Sequence, residues 1–470
     1  MEQLYKLSAS TIIEKIKSRA LSVREILEAF IHRIEDVEPQ INALEQFYPE
    51  KLLKEADSMD KMISANKAVG KLYGLPVSIK DTCKVKGFKI STGCPALLNK
   101  PEEKDATVVA RIKSEGGIIL GITNAPELLA SYETDNLLFG RTNNPYDLSR
   151  TPGGSSGGEA ALISAGGSPL GIGSDAGGSV RQPAHYSGIC AHKPTQGSIP
   201  LTGTIPTDGI AGIITQIVSM GPMARHVDDL ILMMNVIAGA DGFDPHAPPV
   251  NFNNPDNVDI SKLKIAYYFA NGKTIPTDET VEAVKKVVSI FSDNGNVVKE
   301  HYPEPIKDIY RLHWQTFMQG GDKGAGIKQF FASLHHKNIS PLLQQALSNS
   351  SKCEFSLMEL RQRLVEVEQF RYAMMRYMQD YDIIVSPVAA TPARQHGETH
   401  NHIHDFSYII VHNLTGWPAT VVPVAYSKTG LPIGVQIAAK PWCDHVALAV
   451  AKKLQDIIGI FPIPEINQAK

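Results

Sequence analysis

Residues 151–183 read TPGGSSGGEAALISAGGSPLGIGSDAGGSVRQP, and the rest of the chain is best understood outward from them. Two Gly/Ser clusters, Gly153–Gly158 and Gly177–Ser179, flank a helix-then-strand pattern carried by Ala160–Ile163, Leu170 and Ile172. Apolar residues continue through the stretch at core-like spacing, so it is a folded segment and not a linker. Glycine admits positive φ and lets main-chain N–H groups come close to a ligand. Successive N–H groups in such a turn make an anion-binding concavity. A serine on that turn sits beside ready-made oxyanion donors, as acyl transfer requires.

Glycine-rich loops also cradle phosphates. The chain has no G-x-x-x-x-G-K-[ST] sequence, and Gly171-x-Gly173-x-x-Ala176 only approaches a dinucleotide fingerprint. Pro183 is expected to interrupt the helix that should follow. The acidic residue expected about 20 positions on is missing, the chain there reading Cys190-Ala-His-Lys-Pro194. Nucleotide binding is therefore disfavoured.

A serine is a weak nucleophile until a base takes its proton. There is no G-x-S-x-G elbow, and none of the 15 histidines announces itself as the partner. A lysine serves if its pKa falls from about 10.4 toward roughly 7–8, a differential stabilisation of ~4 kcal/mol. Desolvation alone can supply that. Lys80 ends the apolar run Leu75-Pro-Val-Ser-Ile79 in GLPVSIKD (74–81), a short buried strand that places it for such burial. Most lysines are solvated surface charges, so the residues alone leave Lys80 a candidate and do not decide which serine it would serve.

Outward from this region, strand and helix patterns alternate. Residues 1–65 look helical, with a capping box at Ser22 and Glu25 and a second amphipathic segment over 49–62. Asp105 is expected to cap a helix over 106–114 that stops at Gly116-Gly117, with a strand over 118–122. Beyond Arg225, a helix over 226–238, a loop over 239–250, strand 263–269, helix 278–291 and strand 296–301 repeat the pattern. Residues 305–381 are mainly helical. Strands over 383–387, 419–424 and 431–438 and a closing helix over 444–458 complete the chain. The alternation points to crossover units and a largely parallel sheet. With no repeat and no dividing linker, one large α/β domain over 1–470 is the expected organisation.

Composition removes other classes. Of the 470 residues, 43% are hydrophobic and 20% charged, which fits a globular protein with ample core. Net charge is −3, with no basic block, so nothing calls for nucleic acid or an anionic membrane. The uncharged stretch 209–224 is too short and too polar to span a bilayer. The N-terminus lacks a secretory pattern. Five cysteines (Cys83, Cys94, Cys190, Cys353, Cys443) without a C-x-x-C pair read as reduced thiols, and a cytoplasmic setting is expected.

GLPVSIKD at 74–81, GRTNNPYDLSRTPGGSSGGEAAL at 140–162 and GSDAGGSVRQPA at 173–184 closely resemble the amidase signature family, with PTQGSIP at 194–200 and NLTGWPATVVP at 413–423 in support. The resemblance implies an α/β fold with a large twisted mixed β-sheet covered by helices on both faces, a signature core over about 70–225, and the segment 1–65 packed on it. It implies a triad in which Ser179 is the nucleophile, Ser155 the bridging residue after a cis peptide bond, and Lys80 the base. Backbone N–H groups of Ala176, Gly177, Gly178 and Ser179 would hold the oxyanion. Ser156 and Asp175–Arg181 are expected to brace the loops. The implied mechanism needs no metal or cofactor, and its partner is a small-molecule amide; a homodimer stays open.

Around Pro126–Asp135 the chain looks most like the fatty acid amide hydrolase branch, and Leu129 falls where that branch lines its acyl site. The alternative branch is the glutaminase subunit of a tRNA-dependent amidotransferase, which recognises glutamine through a carboxylate shortly before its N-x-x-G-x-P motif. Here residues 406–412 hold no acid, with Asp405 just outside. His396, His400, His402 and His404 are too loosely spaced to argue for a metal site, and their loop is a candidate pocket rim. A binding protein without catalysis is disfavoured because all three triad positions are filled. Pocket walls are expected from 305–410.

Overall fold

The computed structural model describes residues 3–98, 100–204, 212–335 and 337–466. Its strands are β1 (Leu44–Phe47), β2 (Pro76–Lys80), β3 (Ile118–Thr123), β4 (Asp135–Asn136), β5 (Gly140–Arg141), β6 (Leu170–Asp175), β7 (Cys190–Lys193), β8 (Ser219–Ala224), β9 (Lys264–Tyr267), β10 (Val297–Glu300), β11 (Ile383–Pro387), β12 (Ala419–Tyr426) and β13 (Pro432–Ala439). Eleven of them form one sheet in the order β1-β3-β2-β6-β8-β7-β12-β13-β11-β9-β10, and β4 and β5 pair separately.

The largely parallel sheet read from the strand–helix alternation is corrected to a mixed one, the form that the family resemblance implied. β2 runs parallel to β3 and β6, and β9 runs parallel to β10 and β11. The central pairs, β6–β8, β8–β7, β7–β12, β12–β13 and β13–β11, are antiparallel. The crossovers themselves survive. β6 and β7, joined through the helix Arg181–Ser187, share a direction but leave one strand position between them, and β8 fills it in the opposite sense. β13 fills the gap between β11 and β12 in the same way.

Three local expectations are also corrected. Pro183 does not break the helix after Gly177–Ser179: it lies in the first turn of Arg181–Ser187, where its missing N–H would have had no intrahelical partner. The cap of the helix Thr107–Ser114 is Ala106, without a side-chain bond. Asp105 instead accepts from Lys86 N at 2.7 Å and pairs with Lys113. Within the supposedly helical first 65 residues, Leu44–Phe47 forms the sheet's edge strand against β3. The remaining helices follow their signals, with the capping box at Ser22 and Glu25 formed and the closing helix spanning Asp444–Ile458.

Alternation along the strands sends successive side chains to opposite faces. Ile383, Val385, Val422 and Ile437 join one core, whereas Ile384, Val421 and Ala438 join the other. The N-terminal helices Ala9–Lys17 and Val23–Ile41 bury Ile12, Ile16, Ile26, Leu27, Phe30 and Ile34 in the first core, beside Val77, Ile79 and Ile122. The helix Gly157–Ser164 is buried all round and serves both: Ala161 and Leu162 face the first core, Ala160 and Ile163 the second. No helix among the described residues is long and apolar enough to cross a membrane. Phe30→Ala should lower unfolding free energy by about 3–5 kcal/mol, read from chemical denaturation, because Phe30 is fully buried in the core shared by the N-terminal helices and the sheet.

Candidate active site

β2 is buried along its whole length. Val77 and Ile79 point into the first core, which turns Ser78 and Lys80 to the other face. Lys80 has no solvent exposure, and Nζ lies 2.7 Å from Ser155 Oγ and 2.9 Å from Ser174 Oγ. Burial pulls its pKa down to about 7 against the opposing pull of Asp175, Cys83, Glu159 and Asp81. Glu159 itself is raised by burial to about 7, with hydroxyl bonds from Ser78 and Thr123 acting the other way.

The Gly154–Ser155 peptide is cis. Gly154 N donates to Gln182 Oε1 at 2.9 Å, and Thr134 Oγ1 donates to Gly153 O at 2.9 Å. A Cβ on Gly154 would stand 2.6 Å from the carbonyl oxygens of Ser131 and Glu133, so only glycine fits. Ser156 N donates to Ser179 O at 3.2 Å, joining this loop to the second cluster, and Ser156 Oγ donates to Ser174 O at 3.4 Å.

The second cluster is organised by a buried ion pair. Arg181 donates from Nε and Nη2 to the two oxygens of Asp175, both at 3.0 Å. Asp175 also accepts from Gly178 N, Val180 N and Asn413 Nδ2. Burial by itself would raise the Asp175 carboxyl; Arg181, with Lys193 and Asn413, holds it well below the ordinary range. Arg181 reaches on to Ile409 O, Gln436 Oε1 and Asn413 Oδ1. The bracing expected of Ser156, Asp175 and Arg181 is thus present as geometry.

From residue 151 to 195 every residue is buried except Ala176 and Ser179, which are partly open to solvent. Ser179 Oγ has no hydrogen-bond partner among the described residues, so the structure joins Lys80 to Ser155 directly and presents Ser179 unengaged. One expected oxyanion donor needs correction. Gly178 N–H is taken by Asp175 Oδ1 at 2.8 Å, which leaves the N–H groups of Ala176, Gly177 and Ser179 without an acceptor among the described residues. Gly178 has φ +102°, and a Cβ there would strike Ile409 Cδ1 at 1.9 Å.

Other residues singled out from the sequence fall as follows. Leu129 sits half-buried on the turn Glu127–Leu129, just before Ser131 and Tyr132. His396 lies 3.4 Å from Leu148 O, His400 lies 3.2 Å from Ser131 Oγ, and the His404 ring packs on Tyr310. His402 is exposed, and no metal-capable group of three or more His, Cys, Asp or Glu occurs among the described residues. Asp405 is bound by Arg394 and Thr274.

Four residues around the site carry no signal in the sequence. Ser174 is the second hydroxyl on Lys80. Lys193 is a second fully buried amine drawn down by burial to about 7, but its Nζ donates to Pro194 O at 2.8 Å and to no hydroxyl. Tyr132 and His313 bond the carbonyls of Gly177 and Ala176 at 2.6 and 3.0 Å. The β2–β6 register pairs Ser78 with Gly171 and Ile79 with Ile172, so simple alternation turns Ser174 to the Ile79 face and gives no cue to its contact with Lys80. His313 comes from a segment 134 positions after Ser179 and had no local cue either.

A family model described as Amidase matches residues 25–448. Fatty-acid amide hydrolase 2 of Homo sapiens is 30% identical over 496 aligned positions, covering 98% of this chain and 91% of that protein. A glutamyl-tRNA(Gln) amidotransferase subunit from Fusobacterium nucleatum is 31% identical over 492 positions, covering 99% of each. A solved fatty acid amide hydrolase superposes with a TM-score of 0.88 at 24% identity over 97% of this chain and 86% of that one, a likeness of fold.

Asp175→Asn should cost about 3–5 kcal/mol of stability by leaving Arg181 buried without its counter-charge. Chemical denaturation of the variant checks the value.

Proposed function

The chain belongs to the amidase family and is a hydrolase of amide C–N bonds, and we propose that it cleaves small carboxylic amides through an acyl-enzyme on Ser179, with Ser155 and Lys80 as proton relay. The observation that carries this reading is the fully buried Lys80 amine, drawn toward neutrality and 2.7 Å from Ser155, whose loop Ser156 N ties to the partly open Ser179.

In the first step Ser179 Oγ adds to the amide carbonyl while its proton passes to Ser155 and the Ser155 proton passes to the lone pair of neutral Lys80. Negative charge moves onto the carbonyl oxygen. The N–H groups of Ala176, Gly177 and Ser179 are the free donors of the nest and receive it; Gly178 contributes through Asp175 by holding the turn in shape. The tetrahedral adduct collapses as the proton returns from Lys80 through Ser155 to the leaving nitrogen, which departs as ammonia or amine. Water then repeats the sequence on the acyl-enzyme and frees the acid and Ser179. The unbonded Ser179 hydroxyl fits a relay whose last link tightens on substrate, as catalytic hydrogen bonds commonly do.

Lys193 is as deeply buried as Lys80, but it touches no serine, which favours Lys80 as the base. Leu129, on the turn that leads to Tyr132, is assigned to the acyl side of the pocket. A stand-alone amidase is favoured over the glutaminase branch. Free glutamine carries an ammonium that wants an unengaged carboxylate, and Asp405 is already held by Arg394 and Thr274. Tyr132 stacks on Phe406 with ring centroids 4.1 Å apart and on Trp314 at 5.6 Å, and Tyr132 and Trp314 lie beside Gly177, aromatic surroundings better matched to an apolar acyl group.

A panel of short aliphatic, aromatic, long-chain and glutamine amides, assayed for ammonia or amine release by the purified chain, tests the reading. Ser179→Ala should abolish release by about 10³-fold or more; unchanged release would remove Ser179 from the mechanism. Cleavage of glutamine alone, and only with an added partner protein, would move the chain to the amidotransferase branch. The neutral form of Lys80 is the active one, so kcat/KM should fall as pH drops through about 7 and level off above about pH 8. A profile flat down to pH 5 would contradict a lysine base.

A further inference from the structure

We propose that His313 is a positioning residue for the acyl-transfer site: its hold on the Ala176 carbonyl aims the Gly177 N–H at the substrate's developing oxyanion. This rests on the hydrolase reading above.

The peptide plane supplies the lever. In a trans peptide the C=O of one residue and the N–H of the next point in opposite directions across a rigid plane. His313 Nε2 donates to Ala176 O at 3.0 Å, so fixing that oxygen fixes the direction of the Gly177 N–H. A carbonyl only accepts, hence Nε2 carries the proton. Nδ1 is buried without a hydrogen-bond partner among the described residues, and burial draws the ring down to about 4, which keeps it neutral near pH 7.

The neighbouring plane is held differently. The Gly177 carbonyl accepts from Tyr132 Oη at 2.6 Å, and the Gly178 N–H of the same peptide goes to Asp175 at 2.8 Å. That plane is pinned at both ends and offers no free donor. The Ala176–Gly177 plane has its N–H without an acceptor among the described residues, and among them His313 is the group that bonds its carbonyl and so sets its orientation. Gly177 has no Cβ to restrict rotation about its own φ, which makes an external pin necessary. A Cβ placed on Gly177 would stand 3.7 Å from both His313 Cε1 and Trp314 Cζ3, so these two side chains lie directly against this residue. His313 belongs to the π-helical stretch Tyr310–Met318, a form of turn that recurs at functional sites.

Three substitutions test this on the full chain. His313→Gln keeps an N–H donor near the Nε2 position; His313→Leu removes it; His313→Asn keeps a polar amide but is too short to reach the Ala176 carbonyl. Steady-state kinetics on the best neutral amide should show kcat of the Leu and Asn variants reduced about 10- to 100-fold with KM within about threefold of wild type, the pattern of a contact used in the transition state. The Gln variant should recover kcat to within about fivefold. Thermal melting is measured alongside, and if the Leu variant does not fold, the Gln–Asn pair decides. Folded Leu or Asn variants with kcat within twofold of wild type would overturn the proposal. So would Gln and Asn variants equally impaired in proportion to a lost Tm, which is the result of a packing role. Failure of the hydrolase reading would show separately, as wild-type activity that survives Ser179→Ala.

Discussion

The arrangement depends on one buried carboxylate. Asp175 ends β6 and accepts from two backbone amides, Nε and Nη2 of Arg181 and the amide of Asn413. These bonds fold the Gly177–Ser179 turn, attach it to the helix Arg181–Ser187, and tie both to the segment containing Ile409 and Asn413. A buried ion pair is a poor source of net stability, because desolvation offsets most of the Coulomb attraction. Its value here is geometric. With both charges matched and every oxygen engaged, the turn has one satisfied conformation, and in it Ser179 reaches solvent while nearly all its surroundings do not.

Desolvation then does the chemistry's preparatory work. Lys80 stands at the end of a strand buried throughout, close to hydroxyls and with no ion-pair partner within contact distance among the described residues. Water would hold that amine charged; burial lets it be neutral near pH 7 even against the nearby carboxylates. Lys193 shows that burial alone is insufficient. It is drawn down to a similar value, yet it faces a backbone carbonyl and has no proton to receive. In the proposed mechanism, what separates the base from a merely buried amine is the Ser155 hydroxyl within hydrogen-bond reach.

Much of this is legible in the chain. An apolar run ending in lysine places Lys80, since strand alternation and burial act over a few residues. Val23–Ile41 announces its start through the Ser22–Glu25 capping box, and Asp444–Ile458, which has no side-chain cap, through its helical periodicity. Sequence and structure part where tertiary context overrides local preference. Pro222 and Gly221 argue against a strand, yet β8 forms because β6 and β7 leave a slot between them. Pro183 reads as a breaker and sits harmlessly in a first turn. Gly178 counts as an oxyanion donor on its position in the motif; only coordinates reveal that Asp175 has claimed its N–H. Tyr132 and His313 close on the nest from opposite sides in sequence, and no window of residues contains that meeting.

The central claim is that the acyl group passes through Ser179. Rapid acid quench during turnover of an activated aryl ester, followed by peptide mass mapping, tests it without any substitution. The account predicts an acyl increment that rises and decays with turnover on the peptide containing Ser179 and on no other. An increment on another residue, or product formed in a burst with no adduct at Ser179 at any time, would contradict it.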